Sequence, residues 1–356
     1  MPRSLRIAAV AACSLLGLAG CGSSEPTSAA PSSTSPGAAA ATSTATTSAP
    51  PAGGATSSPT TAAPSSTPAA SSSAAPTAVP AAPLPTVVVS TPVLGAVVRD
   101  IVGTAAKVTV LMGNGVDPHD WAPSAKDIAA VGTAKLVVVN GLDLEAGFDE
   151  TLDQASAKGV QVFRASDHIT PRATADSHDH DHDHDHGAED PHLWLDPIRM
   201  ADVATALGAA LDAAGIPTGG RAATAADGLR ALDARIREQL AGIPADRRKL
   251  VTGHESMGYF ADRYEFELVG AVVPSLSSQA EVSAKELAEL KRIIATKKVT
   301  VLFTEIGTPK ATADALAREA GVRVVELATH TMPADGRYAT FLTLLANGIA
   351  GALGTP

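Results

Sequence analysis

Four histidines of this chain stand where a fold could gather them: His119, His192, His254 and His330. Two share a local pattern, 117-DPHDWAP-123 and 190-DPHLWLDP-197, while the others lie in 251-VTGHESMGYF-260 and 326-ELATHTMP-333. Each follows a predicted strand or sits in a loop between elements. A lone loop histidine is more often a hydrogen-bonded surface group than a ligand, but four in equivalent positions point to a shared site. Imidazole nitrogen binds zinc at about 2.0–2.1 Å in tetrahedral sites and also serves copper, iron and nickel. Asp117 and Asp190 each precede a candidate ligand by two residues. They are placed to accept imidazole N–H groups, which fixes the tautomer and raises ligand basicity; the competing reading is that Asp-Pro only makes a turn. Trp121 and Trp194 are expected to pack beneath the site, and Glu255 and Glu305 to satisfy loop backbone.

The chain has ten histidines in all. His168 stands apart, and the other five, His178, His180, His182, His184 and His186, alternate with aspartate in 177-SHDHDHDHDHG-187. A strand with that pattern would be polar on both faces, so burial is excluded. The expectation is a mobile loop over 177–189 that holds extra metal weakly, against the plainer reading of a solvated loop with no role.

Hydrolytic chemistry is disfavoured by the same residues. His254-Glu255 begins like a zinc-protease helix, but the residue four after His254 is Gly258, so the second histidine of H-E-x-x-H is missing. A nucleophile elbow around Ser256 would need glycine at 254. No phosphate-cradling G-x-x-x-x-G-K-[ST] occurs, so any ATP hydrolysis belongs to a partner.

The elements that must position these residues alternate. Short β-branched runs recur at 87-VVVS-90, 108-VTVLM-112, 136-LVVVN-140 and 160-VQVF-163, with helical patterns such as 124-SAKDIAAVGTA-134 and 145-EAGFDETLDQASAK-158 between them. Strands without polar alternation argue for parallel sheets covered on both faces. Long helices are predicted at 197–216 and 223–243. Alternation then resumes from 249-KLVTG-253 through 267-ELVGAVV-273, 299-VTVLFTE-305 and 322-VRVVEL-327 to a last helix near 338–352. The fold class is α/β, with two lobes around a helical middle and ligands expected at strand C-terminal ends.

The run 115-GVDPHDWAPSAKDIAAVGTAKLVVVNGLDLEAGFDETL-152 resembles the first lobe of the zinc/manganese solute-binding receptors of ABC transporters (cluster A-I). 190-DPHLWLDP-197, 252-TGHESMGYFADRY-264 and 301-VLFTE-305 are similar to that family's later signatures, in the same order. The resemblance covers essentially all of 86–356. It implies two parallel-sheet α/β lobes joined by one long rigid helix, with a Zn2+ site in the cleft and a His-rich loop before the second ligand. Carried over by motif, His119, His192 and His254 are the first three ligands. Manganese receptors tend to place a carboxylate third, so an imidazole there favours zinc. At the fourth position the family usually has aspartate; here His330 is nearest, with Asp335, Glu305 or water as alternatives. The implied partners are an ABC permease and its separate ATPase, and the implied state is a monomer. A surface adhesin or zinc buffer on the same fold is the alternative function; a manganese receptor or metallohydrolase is less favoured.

The amino terminus sets the compartment. Arg3 and Arg6 precede an apolar run that ends in Leu18-Ala19-Gly20-Cys21, a secretory signal of the lipobox type. The reading is a signal peptide over 1–20 and lipidation at Cys21, which anchors the chain to the outer face of the cell membrane. Cys13, the other cysteine, leaves with the signal, so no structural disulfide is expected. Residues 22–85 are almost entirely Ala, Ser, Thr, Pro and Gly. They cannot bury enough apolar surface to offset backbone ordering, and are expected to form a disordered tether spanning roughly 45 Å, open to O-glycosylation. The expected boundaries are 21–85 for the tether, 86–196 for the first lobe, 197–247 for the link and 248–356 for the second lobe. A formal charge of −10, more negative once the two arginines are cleaved, argues against a nucleic-acid partner.

Overall fold

The computed structural model describes residues 82–173 and 189–354. The signal segment, Cys21, the tether up to residue 81 and the five histidines of the His/Asp run lie outside them. The described residues belong to one compact unit.

Its first half is built on four strands, β1 (Thr86–Val89), β2 (Lys107–Val110), β3 (Leu136–Val139) and β4 (Gln161–Arg164). All pair in parallel, in the order β2-β1-β3-β4. Alternation across the central strands sends Val87, Val89, Leu136 and Val138 to one face, against Val93, Val97 and Ile101 of α1 (Pro92–Val102). Val88 and Val137 face the other way, onto Val131 of α2 (Ala125–Val131) and Leu152 of α3 (Asp149–Ala157). Both faces of β1 and β3 are covered, which is why 87–89 and 136–139 are wholly apolar and buried. Local sequence sets the helix starts: Thr91 accepts the Leu94 N–H before α1, and Ser124 with Asp127 forms a capping box before α2. A short antiparallel ladder, β5 (Arg172–Ala173) with β6 (Glu189–Asp190), then delivers the chain to Pro191 and His192.

The middle segment is two helices, α4 (Pro197–Ala213) and α5 (Arg221–Leu240). The turn between them contains Gly215, Gly219 and Gly220, all at positive φ. The helices approach closely because glycine faces alanine: a Cβ added at Gly208 would lie 2.3 Å from that of Ala222. Only α5 makes the crossing. Its twenty residues reach about 30 Å, from Arg221, whose guanidinium donates to the carbonyls of Ile101 and Val102, to Leu240, whose carbonyl accepts from Arg248.

The second half repeats the plan with β7 (Lys249–Thr252), α6 (Gly258–Tyr264), β8 (Glu267–Ala271), α7 (Ala284–Lys297), β9 (Val301–Thr304), α8 (Lys310–Ala320), β10 (Arg323–Glu326) and α9 (Tyr338–Leu353). β7 pairs with β8 and β9 with β10, both in parallel. With β7 beside β9, the order β8-β7-β9-β10 mirrors the first half. Leu290 and Ile294 of α7 with Ala313 and Leu316 of α8 cover Val251 and Leu302 on one face. On the other, Phe341, Leu345 and Ile349 of α9 join a core that also holds α1, α4 and α5. That shared core ties the halves together and leaves the loops after β2, β6, β7 and β10 to meet. No described helix is long and apolar enough to cross a membrane.

Candidate metal centre

Those loops carry the four histidines. His119 sits in a 3₁₀ turn, Pro118–Asp120, whose cap is Asp117. His192 caps another, Leu193–Leu195, and His254 and His330 follow β7 and β10. The Nε2 atom of His192 lies 3.3 Å from that of His119 and 3.1 Å from that of His254. All three residues offer nitrogens within 4.8 Å of one another. Two nitrogens each about 2.0–2.1 Å from zinc at a tetrahedral angle stand about 3.3 Å apart. The observed separations are those of an edge of such a tetrahedron.

Hydrogen bonding explains why these nitrogens are available. His192 Nδ1 is 2.8 Å from Asp190 Oδ1, which also accepts the His192 backbone N–H at 2.9 Å. His254 Nδ1 is 2.9 Å from Glu305 Oε1, at ion-pair distance though too oblique for a good hydrogen bond. With the proton held on Nδ1 in each ring, both Nε2 atoms present bare lone pairs. Two such lone pairs facing at 3.1 Å repel unless a cation or a proton stands between them.

Burial sets the protonation. It holds His119 down at about 4, with His254 adding to the effect, and takes His330 to about 3 and His192 well below the ordinary imidazole range. His254 moves the other way: burial opposes its charge, but the Glu305 carboxylate outweighs burial and raises it. Glu305 itself would be raised by burial, yet His254 and Ser256 hold it at about 2. Burial lifts Asp190 to about 7, against the bond from the His192 N–H and the charge of Arg172. Neutral imidazoles backed by carboxylates are the form that takes a metal ion.

His330 stands beside this trio rather than in it. Its ring centroid is 6.2 Å from His192 and 6.1 Å from His254, against 5.0–5.4 Å within the trio. Thr329 Oγ1 meets its Nδ1 at 2.8 Å, and its buried Nε2 has no hydrogen-bond partner among the described residues. The two alternative candidates for the fourth position are engaged with other groups. Glu305 stands behind His254, on the Nδ1 side of the ring. Its oxygens accept the His254 backbone N–H and the Ser256 hydroxyl. Asp335 is exposed and committed to the start of α9, accepting from the Arg337 N–H and the Thr340 hydroxyl.

The two Asp-Pro aspartates also part company. Asp190 backs an imidazole, whereas Asp117 accepts the backbone N–H of His119 at 3.0 Å and the Ser278 hydroxyl at 2.6 Å. Trp194 packs on the rings of His192 and His330 and donates to the Thr329 carbonyl. Trp121 stacks edge-on against Phe148, away from the trio. His168 lies on the surface against Phe163. Sequence reasoning missed Asn140 and Glu145. Buried Glu145 accepts from the Ser90 hydroxyl and from the N–H groups of Asn140 and Gly141, while the Asn140 side chain donates to the Pro191 carbonyl beside His192. The only hint was polar residues directly after apolar strand runs.

Fold and site together define a two-lobed metal receptor of the α/β type. The family model for the periplasmic zinc-uptake complex component A, ZnuA, matches residues 87–352, and the chain belongs to that family. It is 31% identical to the zinc-binding protein TroA of Treponema pallidum over 236 residues, covering 65% of this chain and 73% of that one. The zinc-binding lipoprotein AdcA of Streptococcus pneumoniae is 31% identical over 234 residues, which is 63% of this chain but 46% of AdcA, so the chain spans less than half of that relative. The manganese-binding lipoprotein MntA of Halalkalibacterium halodurans is 26% identical over 270 residues, 74% of this chain and 85% of that one. The solved structure of TroA superposes with a TM-score of 0.67 at 27% identity, covering 76% of this chain and all of that one. These are metal-binding and uptake proteins, not enzymes.

Proposed function

We propose that this chain is an extracytoplasmic receptor that captures one Zn2+ as cargo and delivers it to an ABC-type importer. His119, His192 and His254 bind the ion through Nε2, and His330, whose ring stands beside the trio, moves in to close the fourth position. The observation that carries the reading is the pair of Nε2–Nε2 separations, 3.3 and 3.1 Å, between imidazoles more than sixty residues apart in sequence. An all-nitrogen site with no carboxylate oxygen at its centre favours zinc over manganese. Membership of the zinc-uptake family supports the same choice, although relatives differ in the metal they are named for.

The remaining assignments complete this reading. Residues 86–196 and 248–356 are the two lobes and 197–247 is the link. Lipid on Cys21 and the tether of 22–85 hold a monomeric receptor at the membrane, where a permease with its own ATPase takes the ion. The His/Asp run collects additional zinc at lower affinity.

Titrating the metal-free chain with zinc, manganese and iron(II), followed by an anomalous-scattering map at the zinc edge, tests the site. One tight zinc is expected, with a single anomalous peak between the three imidazoles; tight binding of manganese alone would overturn the choice of ion. Deleting 178–186 should remove weak extra binding and leave one tight zinc per chain.

A further inference from the structure

The three converging ligands are not anchored alike. The rings of His192 and His254 are each backed by a carboxylate of their own half, Asp190 and Glu305. The turn after His192 is also bonded across, Trp194 donating to the Thr329 carbonyl and its own carbonyl accepting from the Tyr338 hydroxyl. His119 differs: among the described residues no carboxylate is hydrogen-bonded to its ring, and the loop that carries it is held by bonds to the opposite half. Asp117 accepts the His119 N–H with one oxygen and the Ser278 hydroxyl with the other. Three residues earlier, the Asn114 side chain makes a two-way bond with Met332, donating to its carbonyl at 2.9 Å and accepting its N–H at 2.7 Å. The surface beneath Asp117 is shaped for it, since a Cβ added at Gly307 would come within 2.3 Å of Asp117 Oδ2. His119 is also only half-buried, whereas His192 and His254 are buried.

We infer that Asp117, Ser278 and Asn114 are positioning residues that lock His119 onto the ion only while the two halves are together, so that this loop is the exit path of the metal. Separation of the halves breaks the Ser278 and Met332 contacts at once and leaves Asp117 holding a backbone N–H but no partner across the cleft. The segment Gly113-Asn114-Gly115, with Gly115 at φ 78°, supplies the backbone freedom for the loop to swing. His192 and His254 keep their ring orientations because the carboxylates behind them, Asp190 and Glu305, lie within their own halves. Release therefore begins at His119, and its rate depends on residues that never touch the ion.

This inference rests on the zinc-receptor reading, and the experiment separates the two. Zinc-loaded full-length protein is mixed with excess chelator, and the release rate is compared for wild type, Ser278→Ala, Asn114→Ala and Ser278→Thr. Loss of a hydrogen bond to a charged acceptor should speed release about ten-fold or more in Ser278→Ala, with Ser278→Thr restoring a rate near wild type. Asn114→Ala should act in the same direction. Amide hydrogen exchange of the metal-free proteins supplies the second readout: protection at residues 112–120 should fall in both alanine variants, with that around His192 and His254 unchanged. Release rates within two-fold of wild type, or exchange that rises uniformly across the chain, would overturn the inference. A wild-type chain that holds no zinc would instead sink the receptor reading, and the exchange experiment would still decide whether the loop is locked across the halves.

Discussion

Asp190 Oδ1 accepts both the ring Nδ1–H and the backbone N–H of His192, two residues later, at 2.8 and 2.9 Å. One carboxylate oxygen thereby fixes the orientation, the tautomer and the basicity of a buried imidazole. Asp190→Asn keeps the shape but removes the charge. Zinc affinity is expected to fall by about 10- to 100-fold, read by competition with a chromophoric chelator; an unchanged constant would remove Asp190 from the site.

Glu305 plays the matching part for His254 and also accepts the His254 N–H and the Ser256 hydroxyl. Truncation leaves buried donors without a partner, so Glu305→Ala should lower stability by about 2–4 kcal/mol and weaken zinc as well. Thermal melts of the metal-free protein measure the first effect and chelator competition the second. A variant as stable as wild type would contradict the network.

Zinc affinity should depend on pH in a specific way. His119 sits at about 4 and His192 well below its ordinary value, so both are already neutral near pH 7. His254 is raised and Asp190 stands at about 7, so these two groups carry the protons that binding must displace. As pH falls through about 7 Asp190 becomes protonated, while His254, being raised, takes up its proton at a higher pH than an ordinary imidazole. A proton on either opposes the ion, so affinity drops as pH falls, and the slope of log K against pH should steepen below neutrality. Isothermal titration in buffers of different ionisation enthalpy counts the protons released; none released at pH 6.5 would refute the assignment.

Gly307 has φ 83°, and a Cβ there would meet Asp117 Oδ2 at 2.3 Å and Ser278 Cβ at 2.8 Å. Gly307→Ala is therefore expected to cost about 1–3 kcal/mol from backbone strain and crowding, and to displace the loop carrying His119. A melting temperature and zinc affinity equal to wild type would show that the close approach does not persist in solution.

His330→Ala distinguishes a fourth ligand from a bystander. The buried Nε2 without a partner makes the ligand role the expected one, with a loss of zinc affinity of at least ten-fold. Asp335→Ala, at an exposed helix start, should leave binding as it was.

Local chemistry made much of this molecule legible in advance. Unbroken valine runs pointed to strands covered on both faces, and β1 and β3 are such strands. The caps at Ser124 and Ser283, where α2 and α7 begin, were not read from the sequence, although each has the acid three residues on that completes a capping box. Paired Asp-Pro-His motifs and the scarcity of other histidines in the folded part singled out the trio, because residue type and spacing limit what imidazoles can do. Asp117 and Asp190 looked equivalent in sequence, yet one backs an imidazole and the other reaches Ser278, 161 positions further along. Glu305 and Asp335 both remained candidate ligands until the fold turned one behind His254 and the other out to solvent. Those outcomes belong to tertiary structure alone, since the direction of a side chain depends on which distant loops pack around it, and nothing in the local sequence records that.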